Sequence, residues 1–112
     1  MDIFYALADP TRRKILELLA NHGRLSAKEI YANFKASPPA ISQHLKVLRE
    51  AKLVKMEKRA QQRIYQINLE AMLELEDWSK QLADQWNKRL DALDELIKDK
   101  KEELQVKNRK DV

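Results

Sequence analysis

The chain contains no cysteine, one glycine and three prolines among its 112 residues. Without cysteine it forms neither disulfides nor thiolate metal sites, and it has no cysteine nucleophile. No apolar run approaches the roughly 20 residues that a membrane-spanning helix needs. The first residues also lack the basic and then apolar segments of a secretory signal. We therefore expect a cytoplasmic protein without membrane association, and the scarcity of glycine and proline favours helix over tight turns.

Charge is unevenly distributed along the chain. Residues 1–69 contain 13 Lys and Arg against 6 Asp and Glu, a net charge of +7. Residues 70–112 contain 9 against 12, a net charge of −3, so the two parts account for the overall +4. The length suits one small domain with a single core. A basic domain of this kind favours binding to nucleic acid.

The segment 37–51 has the pattern of a helix with two different faces. Its first serine is a favoured N-cap, and the proline that follows is tolerated in a first helical turn. Apolar residues at spacings of four and three form the buried face, namely Ile41, Leu45 and Leu48. The opposite face carries Pro39, Gln43 and Lys46, with Ser42 at its edge and Ser37 at the helix start. Such a face suits the major groove of DNA, although an ordinary amphipathic surface helix shows the same pattern.

Two further capping motifs precede this helix. Asp9 followed by Pro10 predicts a helix start, and the chain's one glycine predicts its end. Ser26 and Glu29 form a capping box for another helix, which we expect to end between residues 33 and 35. A connection of three or four residues would then lead to the next cap. Two short helices joined this closely predict a helix-turn-helix.

Two alternating runs, 54–59 and 63–67, predict a β-hairpin. Its tip contains neither glycine nor Asn-Gly, so we expect a loose turn rather than a tight one. A hairpin after a helix-turn-helix is a wing, and a basic tip rich in amides suits the backbone or minor groove of DNA. A solvated loop with chance positive charge is the alternative. The candidate contacts at the tip are Lys58, Arg59, Gln61, Gln62 and Arg63.

A long helix is predicted from residue 70 to residue 104, followed by a frayed tail at 105–112. Its apolar residues recur at spacings of three and four, namely Leu75, Trp78, Leu82, Trp86, Leu90, Leu93 and Ile97. Exposing such a stripe is unfavourable, at roughly 1.5–3 kcal/mol for each large side chain. The stripe therefore needs a partner, most simply its own copy about a two-fold axis. Folding back of its first residues onto the domain is the competing interpretation.

Two separated motifs, ALADPTRRKIL at 6–16 and ISQHLKVLREA at 41–51, together with the wing, resemble the ArsR/SmtB family of bacterial repressors. The resemblance covers roughly residues 2–69 and is to the non-metal-sensing, SdpR-type members. It implies a mainly α fold with a β-hairpin wing, in which residues 1–69 form a winged helix-turn-helix DNA-binding domain. It also implies a homodimer that binds an inverted-repeat operator, with Ser42 and Gln43 reaching base edges. In that dimer the first helix, with Ile3, Phe4 and Leu7, joins the long helix in the interface.

The sequence departs from the metal-sensing relatives, which carry cysteine pairs on the third helix or Asp and His ligands on the last. Here the third helix begins LSAK at 25–28, and the last helix carries aspartates but no histidine. His22 and His44 have no partner at ligand spacing. We expect no metal and no cofactor. Lys52 stands where the family usually has glycine, which predicts a strained or differently shaped turn and leaves the wing's orientation open.

Ser42 and His44 are two residues apart on a helix and do not face each other, so we expect no catalytic pair and no enzyme. We interpret His44 as structural, with base contact as the alternative, and Arg12, Arg13 and Lys14 as surface charge or phosphate contacts. The predicted function is that of a homodimeric, sequence-specific DNA-binding repressor. The alternative is a winged-helix adaptor that binds another protein through its tryptophan-bearing helix. Three alternatives remain for what releases the repressor from DNA: a small apolar ligand, a sequestering protein, or no effector at all.

Overall fold

A computed structural model describes residues 2–110 of the chain, with side chains through residue 105. The elements in chain order are α1 (Ile3–Leu7), α2 (Pro10–His22), β1 (Leu25–Ser26), α3 (Ala27–Tyr31), α4 (Pro38–Glu50), β2 (Val54–Arg59), β3 (Gln62–Ile67) and α5 (Leu69–Lys110). The chain divides into two units, of which the first ends at Glu74. The second begins at Leu75 and consists of the remainder of α5.

The predicted helix starts are confirmed by their caps. The Asp9 carboxylate accepts the backbone N–H groups of Thr11 and Arg12 at 2.8 and 3.2 Å. The capping box has both of its hydrogen bonds, from Glu29 N to Ser26 Oγ at 3.2 Å and from Ser26 N to Glu29 Oε1 at 3.1 Å. These side chains satisfy N–H groups that a helix leaves without intrahelical partners. The glycine after α2, at φ 84°, ends that helix as predicted.

The helix α3 ends at Tyr31, earlier than the predicted 33–35. The Asn33 side chain donates to the Glu29 carbonyl at 2.8 Å and so occupies an acceptor at the end of α3. The next backbone bond, from Asn33 N to Ile30 O, spans three residues rather than four. Side chains of this type compete with the helical ladder in this way. Six residues therefore separate α3 from α4, rather than three or four.

The sheet has three antiparallel strands in the order β1-β3-β2, so the predicted hairpin is joined by a strand that the prediction lacked. In that added strand Leu25 pairs with Tyr65, and Tyr65 also pairs with Met56 of β2. Two residues are too few to show the alternation from which a strand is recognised in sequence. The short strand ties the start of the helix-turn-helix to the wing.

The core of the first unit lies between its helices and one face of the sheet. Its largest fully buried side chains are Ile15, Leu19, Ile30, Ile41, Leu45, Leu48 and Leu53. Ala71, in the first turn of α5, is also buried in this cluster, and Met72 packs against it. The domain therefore includes the beginning of the last helix. The fold is the predicted winged helix-turn-helix.

The helix α5 runs to Lys110, past the predicted end at residue 104. No proline or glycine occurs after residue 68 to stop it. The predicted tail is thus helical over 105–110, while residues 111 and 112 lie outside the described residues. Within the described part of the chain, no helix is both long and apolar enough to cross a membrane.

Candidate nucleic-acid interface

The helix α4 has the two faces that its sequence predicts. Its apolar residues are buried in the core, whereas Pro39, Gln43 and Lys46 are exposed and Ser42 is half-buried. Ser37 is exposed, and its Oγ accepts the backbone N–H of Ala40 at 3.4 Å. Its hydroxyl hydrogen is still free to donate. The structure therefore places all five candidate residues of this helix on or beside one accessible face, which bears no acidic side chain between Ser37 and Arg49.

His44 lies at the edge of this face and is half-buried. Its Nδ1 atom is 3.1 Å from a terminal guanidinium nitrogen of Arg12, which is on α2. This bond agrees with the structural role that we expected for the ring. The interpretation of Arg12 as a surface charge was wrong, since this arginine is buried and its guanidinium bonds to other helices. Nothing local in the sequence marks a contact between residues 32 positions apart.

The tip of the wing is tighter than predicted. Arg59 pairs with Gln62, so a two-residue turn of Ala60 and Gln61 joins β2 to β3. Ala60 has φ 54°, in the left-handed region, and Gln61 has no positive φ. A positive φ at the first central residue alone is typical of a type II′ turn, whose twist matches that of the flanking strands. The expectation of a loose turn was wrong because strand pairing imposes this turn on an alanine.

The basic residues of the wing are all exposed but lie on different faces. Lys58 and Arg63 are cross-strand partners. Because alternate residues share a face, they lie on the same side of the sheet as Met56, which packs against the core. Arg59 is on the other side, where its Nε is 3.5 Å from Glu57 Oε1. The candidate amides Gln61 and Gln62 are exposed at the tip.

A cleft of about 860 Å³ separates the wing tip from α3. Arg59 and Arg63 line it on the wing side, and Lys28 and Tyr31 line it on the α3 side. The sequence analysis did not propose Lys28 or Tyr31 as contacts. Their signal was weak, since one lysine and one tyrosine on a short helix form no pattern. The cleft adds basic and hydroxyl groups beside the wing.

The turn between α4 and the wing keeps the left-handed residue of the expected motif, although lysine stands there. Lys52 has φ 62°. Its N–H bonds to the Arg49 carbonyl at 2.9 Å, and the N–H of Leu53 bonds to the Leu48 carbonyl at 3.0 Å. These two bonds make a Schellman ending. Asn68 Nδ2 also donates to the Lys52 carbonyl at 2.8 Å, which ties this turn to the end of β3.

The residues predicted to form a dimer interface lie in both units. On α1, Ile3 and Leu7 are half-buried against the core, while Phe4 is 48% exposed. In the second unit Leu75, the first residue of the α5 stripe, is half-buried, and the stripe is exposed from Trp78 onward, with Trp86 at 61%. The other exposed members of this stripe are Trp78, Leu82, Leu90, Leu93 and Ile97.

No group of three or more His, Cys, Asp or Glu side chains among the described residues is arranged to hold a metal ion. His22 Nδ1 lies 3.0 Å from the Leu18 carbonyl oxygen, one turn earlier in its own helix. His44 is bonded to Arg12.

Comparison with known proteins identifies the family. The family model described as "Bacterial regulatory protein, arsR family" matches residues 9–56, which span α2 to β2. The transcriptional repressor SdpR of Bacillus subtilis (strain 168) is 36% identical over 77 residues, which are 69% of this chain and 84% of that protein. The HTH-type transcriptional regulator Rv2034 of Mycobacterium tuberculosis is 49% identical over 63 residues, which are 56% of this chain and 58% of that regulator.

The fold agrees with this assignment. The solved structure of an ArsR-like transcriptional regulator from Rhodococcus sp. RHA1 superposes with a TM-score of 0.76 and 26% sequence identity. The superposition covers 86% of this chain and 87% of that one. The chain therefore belongs to the arsR family of bacterial regulatory proteins and is a DNA-binding transcriptional regulator, not an enzyme.

Proposed function

We propose that the chain is a homodimeric repressor that binds an inverted-repeat operator in the cytoplasm, with α4 of each protomer in the major groove. The observation that carries this proposal is the exposed, acid-free face of α4, whose other face is fixed in the core. A rigid helix that presents amide, hydroxyl and ammonium groups matches the donors and acceptors at base edges. The related protein SdpR is a transcriptional repressor, which supports repression rather than activation by this chain.

Each exposed group on α4 has a chemical role in this proposal. The Gln43 side chain is suited to a bidentate contact with adenine, since its amide both donates and accepts. Lys46 and the hydroxyl groups of Ser37 and Ser42 suit phosphates or base edges, and Pro39 offers an apolar contact to a thymine methyl group. Gln43 is thus the main candidate for sequence readout.

The wing supplies a second contact that does not depend on base sequence. Lys58, Arg59 and Arg63 are exposed cations within six residues of chain, and Gln61 and Gln62 add amides at the tip. Cations placed beside DNA bind its phosphates and release counterions, which makes affinity fall steeply with salt. We assign the wing to the backbone or minor groove next to α4.

Dimerisation is supported by the exposed stripe of α5. Trp78, Leu82 and Trp86 are 48%, 48% and 61% exposed, and leaving such side chains in water is unfavourable. Residues 70–77 of α5 contain four acidic and no basic residues, whereas residues 98–103 contain three lysines and three acidic residues, with no net charge. A parallel pair of α5 helices places the two acidic segments side by side, and an antiparallel pair avoids this repulsion. A second copy in antiparallel orientation is therefore the partner that we propose, with α1 contributing Phe4.

The readout by α4 is tested by Gln43→Ala, with Asn87→Ala as control because Asn87 lies on the charged face of α5. Binding is measured to a preferred duplex and to its single-base variants. We expect Gln43→Ala to lose about 1–3 kcal/mol at one base pair and to relax preference there. Unchanged affinity and unchanged base preference in Gln43→Ala would contradict the assignment of α4 to base readout. Altered DNA binding by Asn87→Ala would show that a substitution far from α4 also changes the measured affinity.

The dimer is tested by light scattering at micromolar concentration with Trp86→Glu and its neighbour Asn87→Glu. Only the first substitution places a charge on the apolar stripe. We expect the wild type and Asn87→Glu to have the mass of a dimer and Trp86→Glu that of a monomer. A monomeric wild type would favour the adaptor, in which the exposed tryptophan-bearing helix binds a different protein.

A further inference from the structure

Arg12 connects three helices of the domain through one guanidinium group. It lies on α2 and its residue is only 8% exposed. Its Nε donates to the Ala6 carbonyl at 2.7 Å, and one terminal nitrogen donates to the Tyr5 carbonyl at 3.1 Å, both in α1. The other terminal nitrogen is 3.1 Å from Nδ1 of His44 in α4. The planar fork of arginine suits such a three-way arrangement, because it presents donors in fixed directions.

A buried guanidinium is unfavourable unless its donors are satisfied. Here carbonyl oxygens at the end of α1 accept two of its hydrogen bonds, and the group lies 5.3 Å from the centre of the Tyr5 ring. The third bond goes to a histidine. The desolvated charge is thus held by groups from two other helices, so a shift of either helix relative to α2 disturbs it.

The bond to His44 specifies the state of the ring. An arginine only donates, so Nδ1 of His44 must accept and carries no proton. In this tautomer the ring hydrogen is on Nε2. His44 directly follows Gln43, the residue that we assign to base readout. The hydrogen bond to this ring therefore restrains α4 next to the position where readout occurs.

We propose that Arg12 is a positioning residue for DNA recognition, which sets the rotation of α4 through His44 and couples it to α1. This inference rests on the proposed function. Recognition needs side chains to be held within about 0.5 Å and 10–20°. Packing of Ile41, Leu45 and Leu48 holds the buried face of α4, and the hydrogen bond from Arg12 adds a directional restraint beside its exposed face. Arg12 itself does not contact DNA in this proposal.

Arg13 offers a matched control. It is the next residue, and its guanidinium donates to the Leu7 carbonyl of α1 at 2.6 Å. It is exposed, and this bond ties α2 to α1 rather than to α4. Arg12→Lys and Arg13→Lys both keep a positive charge and lose the fork. Only Arg12 bonds to α4, and one ammonium group in its place cannot span all three acceptors, so Arg12→Lys breaks the link between α1 and His44.

The measured quantity is the ratio of affinities for a preferred duplex and for a scrambled duplex of the same length at the same salt. We expect Arg12→Lys to lower this ratio about tenfold, the effect of a coupling in the middle of the range for contacting residues. Arg13→Lys is expected to leave it within about twofold. Urea unfolding of each variant shows that it is folded under the assay conditions. A folded Arg12→Lys protein with the wild-type ratio would overturn the inference.

Substitutions of His44 test the other end of the hydrogen bond. They test the positioning role of Arg12 even if Arg12→Lys does not fold. Asparagine can place an acceptor near the position of Nδ1, and leucine cannot. We expect His44→Asn to keep most of the wild-type ratio and His44→Leu to lose it. On the His44→Leu background, Arg12→Lys should add little, since the two residues act as one pair. Equal ratios for the asparagine and leucine variants would overturn the inference.

Nitrogen NMR of the histidine rings gives a readout independent of DNA. We expect the wild-type His44 ring to have its proton on Nε2 at neutral pH, and Arg12→Lys to change its nitrogen shifts. A proton on Nδ1 in the wild type would overturn the geometry. A wild type with no sequence preference would overturn the proposed function and this inference with it. A wild-type preference that survives in folded Arg12→Lys would overturn this inference alone.

Discussion

Removing one wing lysine from each protomer changes the salt dependence of DNA binding by a predictable amount. We choose Lys58 because it is exposed and lies on the face of the sheet that it shares with Arg63, whereas Arg59 is already paired with Glu57. In the proposed dimer, Lys58→Ala removes two phosphate contacts. Each contact contributes about 0.9 to the slope of log K against log salt concentration. We therefore expect the slope to become shallower by about 1.8.

The same arithmetic gives the loss of affinity. Taking 1 M salt as the reference at which counterion release contributes nothing, a slope difference of about 1.8 corresponds to about a 30-fold weaker affinity at 0.15 M. Because phosphates are the same in every sequence, preferred and scrambled duplexes should weaken alike. Fluorescence anisotropy with both duplexes, over several salt concentrations, measures the slope and the affinities together.

The control for this experiment is Lys55→Ala. Lys55 is exposed on the same strand, three residues earlier and on the opposite face, where it pairs with Gln66. It should leave the slope nearly unchanged. The assignment of the wing to the DNA backbone would be refuted by an unchanged slope in Lys58→Ala. A loss confined to the preferred duplex would also refute it, since such a loss indicates base readout.

Two further predictions concern stability and use urea titration. Lys52 and Ala60 occupy left-handed backbone at φ 62° and 54°. This conformation is unfavourable by about 1–2 kcal/mol for a residue with a side chain. Glycine avoids that strain but loses about 0.5–1 kcal/mol more conformational entropy on folding. Lys52→Gly and Ala60→Gly should thus each raise the unfolding free energy by up to about 1 kcal/mol, and a decrease would contradict the backbone assignment. The Ser26 backbone N–H donates to the Glu29 carboxylate and holds the pKa of this carboxylate below the ordinary 4.5. The ionised carboxylate therefore stabilises the fold above pH 4.5. This contribution to stability is lost as the pH falls through the lowered pKa. Glu29→Gln should accordingly be less stable than wild type at pH 7, with a difference that shrinks toward pH 2, and a difference independent of pH would refute the role of the charge.

The parts of the fold that were predictable from sequence depend on neighbours along the chain. Asp9, Ser26 and Ser37 each cap the helix that follows them, and each bond spans two or three residues. The spacing of apolar residues on α4 likewise identified which face is buried. Such signals need no knowledge of distant contacts, so the helix-turn-helix and its exposed face were correct in advance.

The features that were missed depend on pairing between distant segments. Ala60 adopts a left-handed conformation because β2 and β3 pair in a register that leaves two residues for the turn. The strand β1 exists only through its pairing with β3. The role of Arg12 requires a contact with His44, which no local pattern indicates. Lys52 shows a milder case, since the α4 ending keeps its geometry although the favoured glycine is absent.

The most direct test of a two-fold repressor is the selection of bound sequences from a random pool of duplex DNA by the purified full chain. Two recognition helices related by a dimer axis predict an inverted repeat, with half-sites about one helical turn apart, roughly 10–10.5 base pairs between centres. Gln43→Ala should select the same repeat with one position relaxed in each half. Enrichment of a single unsymmetrical site, or of no sequence at all, would contradict the account.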